Sequence, residues 1–152
     1  MSRYALQFAY DGGSFHGYQI QPNAHSVQAE LEENLSLLLG ETVSITGSGR
    51  TDTGVHAAHQ IAHFDTTEPI DSNLIYRLNR MLSHALTAQA IFTVADDFHA
   101  RFSAIERCYF YALYTGPHRV PLLNGRAGYY MLPPGKYLNI EAMRKAAGYL
   151  EG

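Results

Sequence analysis

Residues 49–57 read Gly-Arg-Thr-Asp-Thr-Gly-Val-His-Ala, and their types suit covalent chemistry centred on Asp52. Gly49 and Gly54 flank the aspartate, and glycines let a backbone approach a ligand closely or take a positive φ. Arg50 stands two residues from Asp52, so in an extended stretch the two side chains share a face. An arginine beside an aspartate keeps the carboxylate ionised. An ionised carboxylate in a cleft can attack a sugar carbon or an electron-poor ring. The same residues also fit a plainer arrangement, a loop aspartate capping its own turn with Arg50 as a surface partner. Taken alone, the segment leaves both open.

Other chemistries fare worse. Gly47-Ser48-Gly49 is not followed by the Gly-Lys-Ser/Thr of a phosphate-binding loop. His59 and His63 would share a strand face but stand two pleats apart, with no cysteine near, so no metal site is expected. A glycosidase needs a second carboxylate roughly 5–10 Å from the first, and Asp65 and Glu68 fall beyond the next predicted strand. Cys108, the only cysteine, has no partner pattern for a nucleophile and reads as a packed thiol.

A formal net charge of −3 argues against bulk polyanion binding. Yet every basic residue before Lys136 is an arginine, the side chain that forks onto phosphates and stacks on bases, so a local basic cleft on an acidic body is allowed. The chain has no apolar run of about eighteen residues and opens directly on an alternating pattern, which predicts neither a membrane span nor a signal peptide and fits a cytoplasmic protein.

The elements that must hold Asp52 are legible as a series. Tyr4, Leu6, Phe8 and Tyr10 alternate as a strand ended by Asp11-Gly12-Gly13. Ser26 caps a helix to about Leu39 with Val27, Leu31, Leu35 and Leu38 inward, stopped by Gly40. Val43 and Ile45 open a second strand, and Gln60 to Phe64 forms a third. Asp71 or Ser72 caps a second helix with Leu74, Leu78, Met81 and Leu82 inward, and Ala90 to Ala95 is a fourth strand. This order predicts an α+β, split βαβ (ferredoxin-like) fold, an antiparallel sheet with helices on one face, over residues 1–104. A strand over Cys108 to Tyr114 and a helix from Ile140 to about Leu150, capped by Asn139, follow over 105–152. They read as the start of a second similar lobe that stops midway.

The segment at 49–57 resembles the signature of the tRNA pseudouridine synthase A family, which usually carries Ala where Thr53 stands here. The resemblance extends through Tyr10-Asp11-Gly12, His16-Gly17-Tyr18-Gln19, Gln21-Pro22-Asn23 and Ser26-Val27-Gln28. It continues through Asn79, Phe98-His99-Ala100-Arg101-Phe102-Ser103-Ala104 and Arg107-Cys108-Tyr109-Phe110-Tyr111, and is looser afterwards. Family members continue past the position of Gly152, so the resemblance implies a truncated second lobe.

The implied activity is isomerisation of uridine to pseudouridine in the tRNA anticodon stem-loop, without a cofactor. Asp52 would be the catalytic carboxylate. Tyr109 would stack on the extruded uracil, Arg50 would fill the gap left by the flipped base, and Arg101 would position the site or a phosphate. The implied partners are a tRNA substrate and, in the full-length family, a second subunit of a homodimer. A non-catalytic RNA-binding module on the same fold is the alternative.

Overall fold

The computed structural model describes residues 1–151 and divides into two compact units, Met1–Arg107 and Cys108–Gly152. The first unit contains β1 (Ser2–Tyr10), a 3-10 turn (Gly12–Ser14), α1 (Val27–Leu39), β2 (Thr46–Gly47), β3 (Ala57–Thr66), α2 (Leu74–Met81) and β4 (Leu86–Thr93). Its sheet runs β2-β3-β1-β4 with every neighbouring pair antiparallel. That is the split βαβ arrangement expected from the element order.

Alternation along β1 explains the core. Tyr4 lies opposite Phe64 and Leu6 opposite Ala62 on β3, so these side chains share one face. Leu6, Phe8, Phe64, Val27, Leu31, Leu35, Leu74 and Leu78 form one buried cluster, which places both helices against that face. Each large apolar side chain so buried contributes about 1.5–3 kcal/mol. Helix α1 begins where Ser26 Oγ accepts the amide of Ala29 at 3.3 Å and ends at Gly40, as its sequence predicts.

Several boundaries differ from expectation, for local reasons. Val43 and Ile45 are buried, yet their amides are taken by α1 side chains and not by a strand. The Val43 amide donates to Ser36 Oγ (2.9 Å) and that of Ile45 to Glu32 Oε1 (2.8 Å), which leaves β2 only Thr46–Gly47. Asp71 accepts from the Asn73 amide (2.7 Å) and pairs with Arg77 (2.7 Å), so it closes the turn before α2, which starts at Leu74. Met81 ends that helix exposed, not inward. Strand β4 runs Leu86–Thr93, shifted earlier than the predicted Ala90 to Ala95, because its pairing with β1 begins at Tyr10 opposite Leu86; Asn79 on α2 bonds both backbone groups of Ala88 at 2.8 Å.

The second unit holds β5 (Leu113–Tyr114), a 3-10 turn (Pro121–Leu123), β6 (Gly128–Tyr129) and α3 (Ile140–Ala147). β5 and β6 pair in parallel. The strand predicted over Cys108 to Tyr114 is only its last two residues: β6 is itself two residues long, sets Gly128 and Tyr129 beside Leu113 and Tyr114, and reaches no further back than Ala112 O, which accepts the Gly128 amide (2.8 Å). Asn139 caps α3 as predicted, through Oδ1 and the Ala142 amide (2.9 Å), but the helix ends at Ala147. Among the described residues no helix is long and apolar enough to cross a membrane.

Candidate active site

The loop bearing Asp52 is held from below by residues some forty positions earlier in the chain. Thr51 O accepts the Tyr18 amide (3.0 Å), and Thr51 Oγ1 shares a hydrogen bond with the Tyr10 hydroxyl (2.8 Å). Gly12 O accepts the Gly54 amide at 3.2 Å. His56 Nδ1 lies 3.2 Å from Gly12 N and 3.0 Å from Asp11 Oδ1. A bare Nδ1 accepts from the amide, and a protonated one donates to the carboxylate. On the other flank, the Gln60 side chain donates to Gly49 O (2.6 Å). Gly54 takes φ +83° and lets the chain turn back after Asp52.

Within this frame the Asp52 backbone carbonyl closes a turn by accepting the Val55 amide at 3.2 Å. Its carboxylate is exposed and has no hydrogen-bond or ion-pair partner among the described residues. The expected pairing with Arg50 is therefore not formed. Arg50 and Arg101 line one cavity of about 520 Å³ together with Arg107, Tyr18 and Ser48. Asp52 is not among its lining residues. Tyr109 belongs to the second unit, where it precedes β5 with its ring exposed.

Arg101 sits on a hook, residues 98–103, clipped to the sheet. The Ala100 amide donates to the buried His63 Nδ1 (3.1 Å), and the His63 and His99 rings lie 4.7 Å apart. Arg3 donates to Phe98 O (3.0 Å) while pairing with Asp65 through two 2.8 Å bonds. Burial holds the His63 pKa below the ordinary histidine value, and the nearby Arg3 and His99 charges push the same way, against a smaller opposing effect from Asp65. The unfolded chain therefore binds a proton here more readily than the folded one. Stability is full above about pH 6.5 and is lost as pH falls from there through the lowered folded value. The thermal midpoint is expected to drop between about pH 7 and 5, and His63→Gln, which keeps an acceptor without titrating, should flatten that drop. An unchanged pH profile in the variant would contradict this.

Sequence reasoning passed over Arg107 and His63. The Arg107 guanidinium donates to Ser48 O (2.8 and 3.3 Å) and to Arg101 O (3.0 Å), so it ties the Asp52 loop to the hook. Its only sequence signal was its place two residues before Tyr109. His63 was considered only as a metal ligand. Among the described residues no group of three or more His, Cys, Asp or Glu side chains is placed to hold a metal ion.

A partnerless carboxylate on a loop braced by a split βαβ sheet, beside an arginine-lined cavity, defines an α+β protein with a candidate anion-facing site. No protein-family model matches the chain. Among curated proteins it is 49% identical over 155 residues to tRNA pseudouridine synthase A of Cupriavidus necator and 48% identical over 155 residues to that of Cupriavidus taiwanensis. It is 46% identical over 153 residues to that of Cupriavidus pinatubonensis. Each alignment covers 100% of this chain and 56% of the relative. The chain matches the N-terminal portion of the tRNA pseudouridine synthase A family and spans about half the length of the curated relatives it matches.

Proposed function

We propose that this chain carries the aspartate-bearing part of a tRNA pseudouridine synthase active site, acting on uridines of the anticodon stem-loop. The observation that carries the reading is the Asp52 carboxylate, presented without a partner on a loop fixed at Thr51, Gly54 and His56. A carboxylate that only capped its own turn would have spent its oxygens on nearby amides.

The reaction breaks the N1–C1′ bond of uridine, turns the base and forms C5–C1′. The proton on C5 is lost and N1 gains one, so no electrons enter or leave. The base must leave the helix stack to reach the enzyme. Asp52 serves as nucleophile at C1′ or as base toward the sugar. Arg50, planar and cationic, fills the gap left by the extruded uridine. Arg101 holds a backbone phosphate. Tyr109 stacks on the uracil, and its hydroxyl assists removal of the C5 proton. The domain over residues 1–104 carries the catalytic loop, and residues 105–152 bring Tyr109 from the beginning of a second lobe. The working protein is a cytoplasmic homodimer that binds one tRNA across both subunits.

The test is tritium release from a tRNA transcript labelled at uracil C5, in a synthase of the relatives' full length that carries this segment. Tyr109→Phe keeps the stacking ring and should lose about 10²-fold in rate. Tyr109→Leu also forfeits stacking, worth about 1–3 kcal/mol, and should fall near background. Equal, lowered rates in the two variants would remove stacking from the mechanism, a parent rate in Tyr109→Phe would remove the hydroxyl, and a full rate in both would remove Tyr109 from the site.

A further inference from the structure

We infer that the cavity beside the Asp52 loop is a subsite for one phosphodiester group of a single-stranded RNA, with the Tyr18 hydroxyl as its buried donor and Arg101 as its counter-charge. The choice of RNA as ligand rests on the proposed function; the preference of the site for an anion does not. The lining includes Arg50, Arg101 and Arg107 and no carboxylate, in a chain whose net charge is −3. Arg107 is occupied by the carbonyls of Ser48 and Arg101, but the Arg50 and Arg101 side chains have no hydrogen-bond or ion-pair partner among the described residues. Two uncompensated guanidinium groups at one concavity attract an anion, and a phosphate accepts the planar fork of an arginine well.

Tyr18 supplies the second, independent observation. Its residue is 3% exposed, it lines the cavity, and its hydroxyl has no hydrogen-bond partner among the described residues. A buried hydroxyl left unmade costs about 1–3 kcal/mol, so one that persists calls for a partner. The oxygen lies against Gly47, where an added Cβ would fall 2.3 Å from it, so the ring is seated close to the strand that leads into the Asp52 loop. Burial also raises the phenol pKa well above its ordinary value, so the group stays a donor.

The experiment titrates the 152-residue chain with a fluorescent single-stranded uridine-rich RNA and, separately, with inorganic phosphate, at several salt concentrations. Tyr18→Phe removes a hydroxyl that bonds nothing in the free protein, so its thermal midpoint should stay at or above that of the parent while RNA affinity falls at least about fivefold. Arg101→Met should weaken RNA binding and reduce the slope of log K against log salt by about 0.7. Tyr18→Phe, which changes no charge, should leave that slope alone. Unaltered affinity for both RNA and phosphate in Tyr18→Phe overturns the subsite, and so does a lowered midpoint, which would mean the hydroxyl already has a partner in the free protein. Phosphate binding that depends on Tyr18 while RNA binding does not would overturn the RNA assignment. Failure of tritium release with Tyr18-dependent RNA binding intact would remove the synthase reading and leave the subsite standing.

Discussion

In a synthase carrying this segment, Asp52→Asn leaves RNA affinity within a few-fold of the parent and lowers pseudouridine formation by a factor on the order of 10⁴ or more. Asparagine matches the carboxylate in shape but is neutral, so it can neither attack C1′ nor take a proton from the sugar. Binding survives because Asp52 is not among the residues lining the arginine cavity. Stability survives too. The carboxylate is exposed and makes no hydrogen bond or ion pair among the described residues, and such surface changes stay within about 0.5 kcal/mol. Tritium release measured beside filter binding and a thermal melt reads all three. Full turnover in the variant would sink the assignment. A large loss of stability would mean that Asp52 is structural.

The second large effect concerns Gly12. A Cβ at this position would lie 2.1 Å from Val55 O and 2.5 Å from Val55 C, a clash with backbone and not with a yielding side-chain tip. Nor can Gly12 retreat, since its carbonyl takes the Gly54 amide and its own amide lies 3.2 Å from His56 Nδ1. Gly12→Ala is therefore expected to cost about 3 kcal/mol, lowering the thermal midpoint by about 12–24 °C for a domain of this size, and to displace the Asp52 loop. Gly13→Ala is the control. Its added Cβ would meet only Asp11 Oδ1, at 3.1 Å and in an exposed turn, so it should be nearly neutral. If Gly12→Ala melts with its control, the close approach of the two loops is not real.

The contrast between these glycines shows where sequence reading reaches and where it stops. Helix α1 was legible from Ser26 to Gly40 because cap, apolar spacing and stop all act within a turn or two. The topology followed from element order alone. The short β2 was not legible, because Val43 and Ile45 look like a strand and only the folded α1 shows that Ser36 and Glu32 take their amides. Asp52 stood out by its neighbours, but the supports at Tyr10, Gly12 and Tyr18 reach it across about forty residues, a distance no periodicity encodes. Spacing likewise suggested a pair between Arg50 and Asp52, while the turn at Gly54 and the arginine cavity send the two side chains to different surroundings.

The position of β1 has a consequence for biosynthesis. It is an inner strand, and both its neighbours come from much later in the chain, with Tyr4 set against Phe64 on one side and Thr93 on the other. During synthesis the chain thus carries Leu6, Phe8 and Tyr10 without any strand neighbour until translation has passed Thr66, and with one edge still open until it has passed Thr93. At roughly 5–20 residues per second that exposure lasts several seconds, long enough for mispairing between nascent chains. Contacts of such long range also close slowly once available. Chaperone demand should therefore centre on the first ten residues, and a charge placed at the partly exposed Ala9, off the buried face, is where that demand could be eased without touching the core.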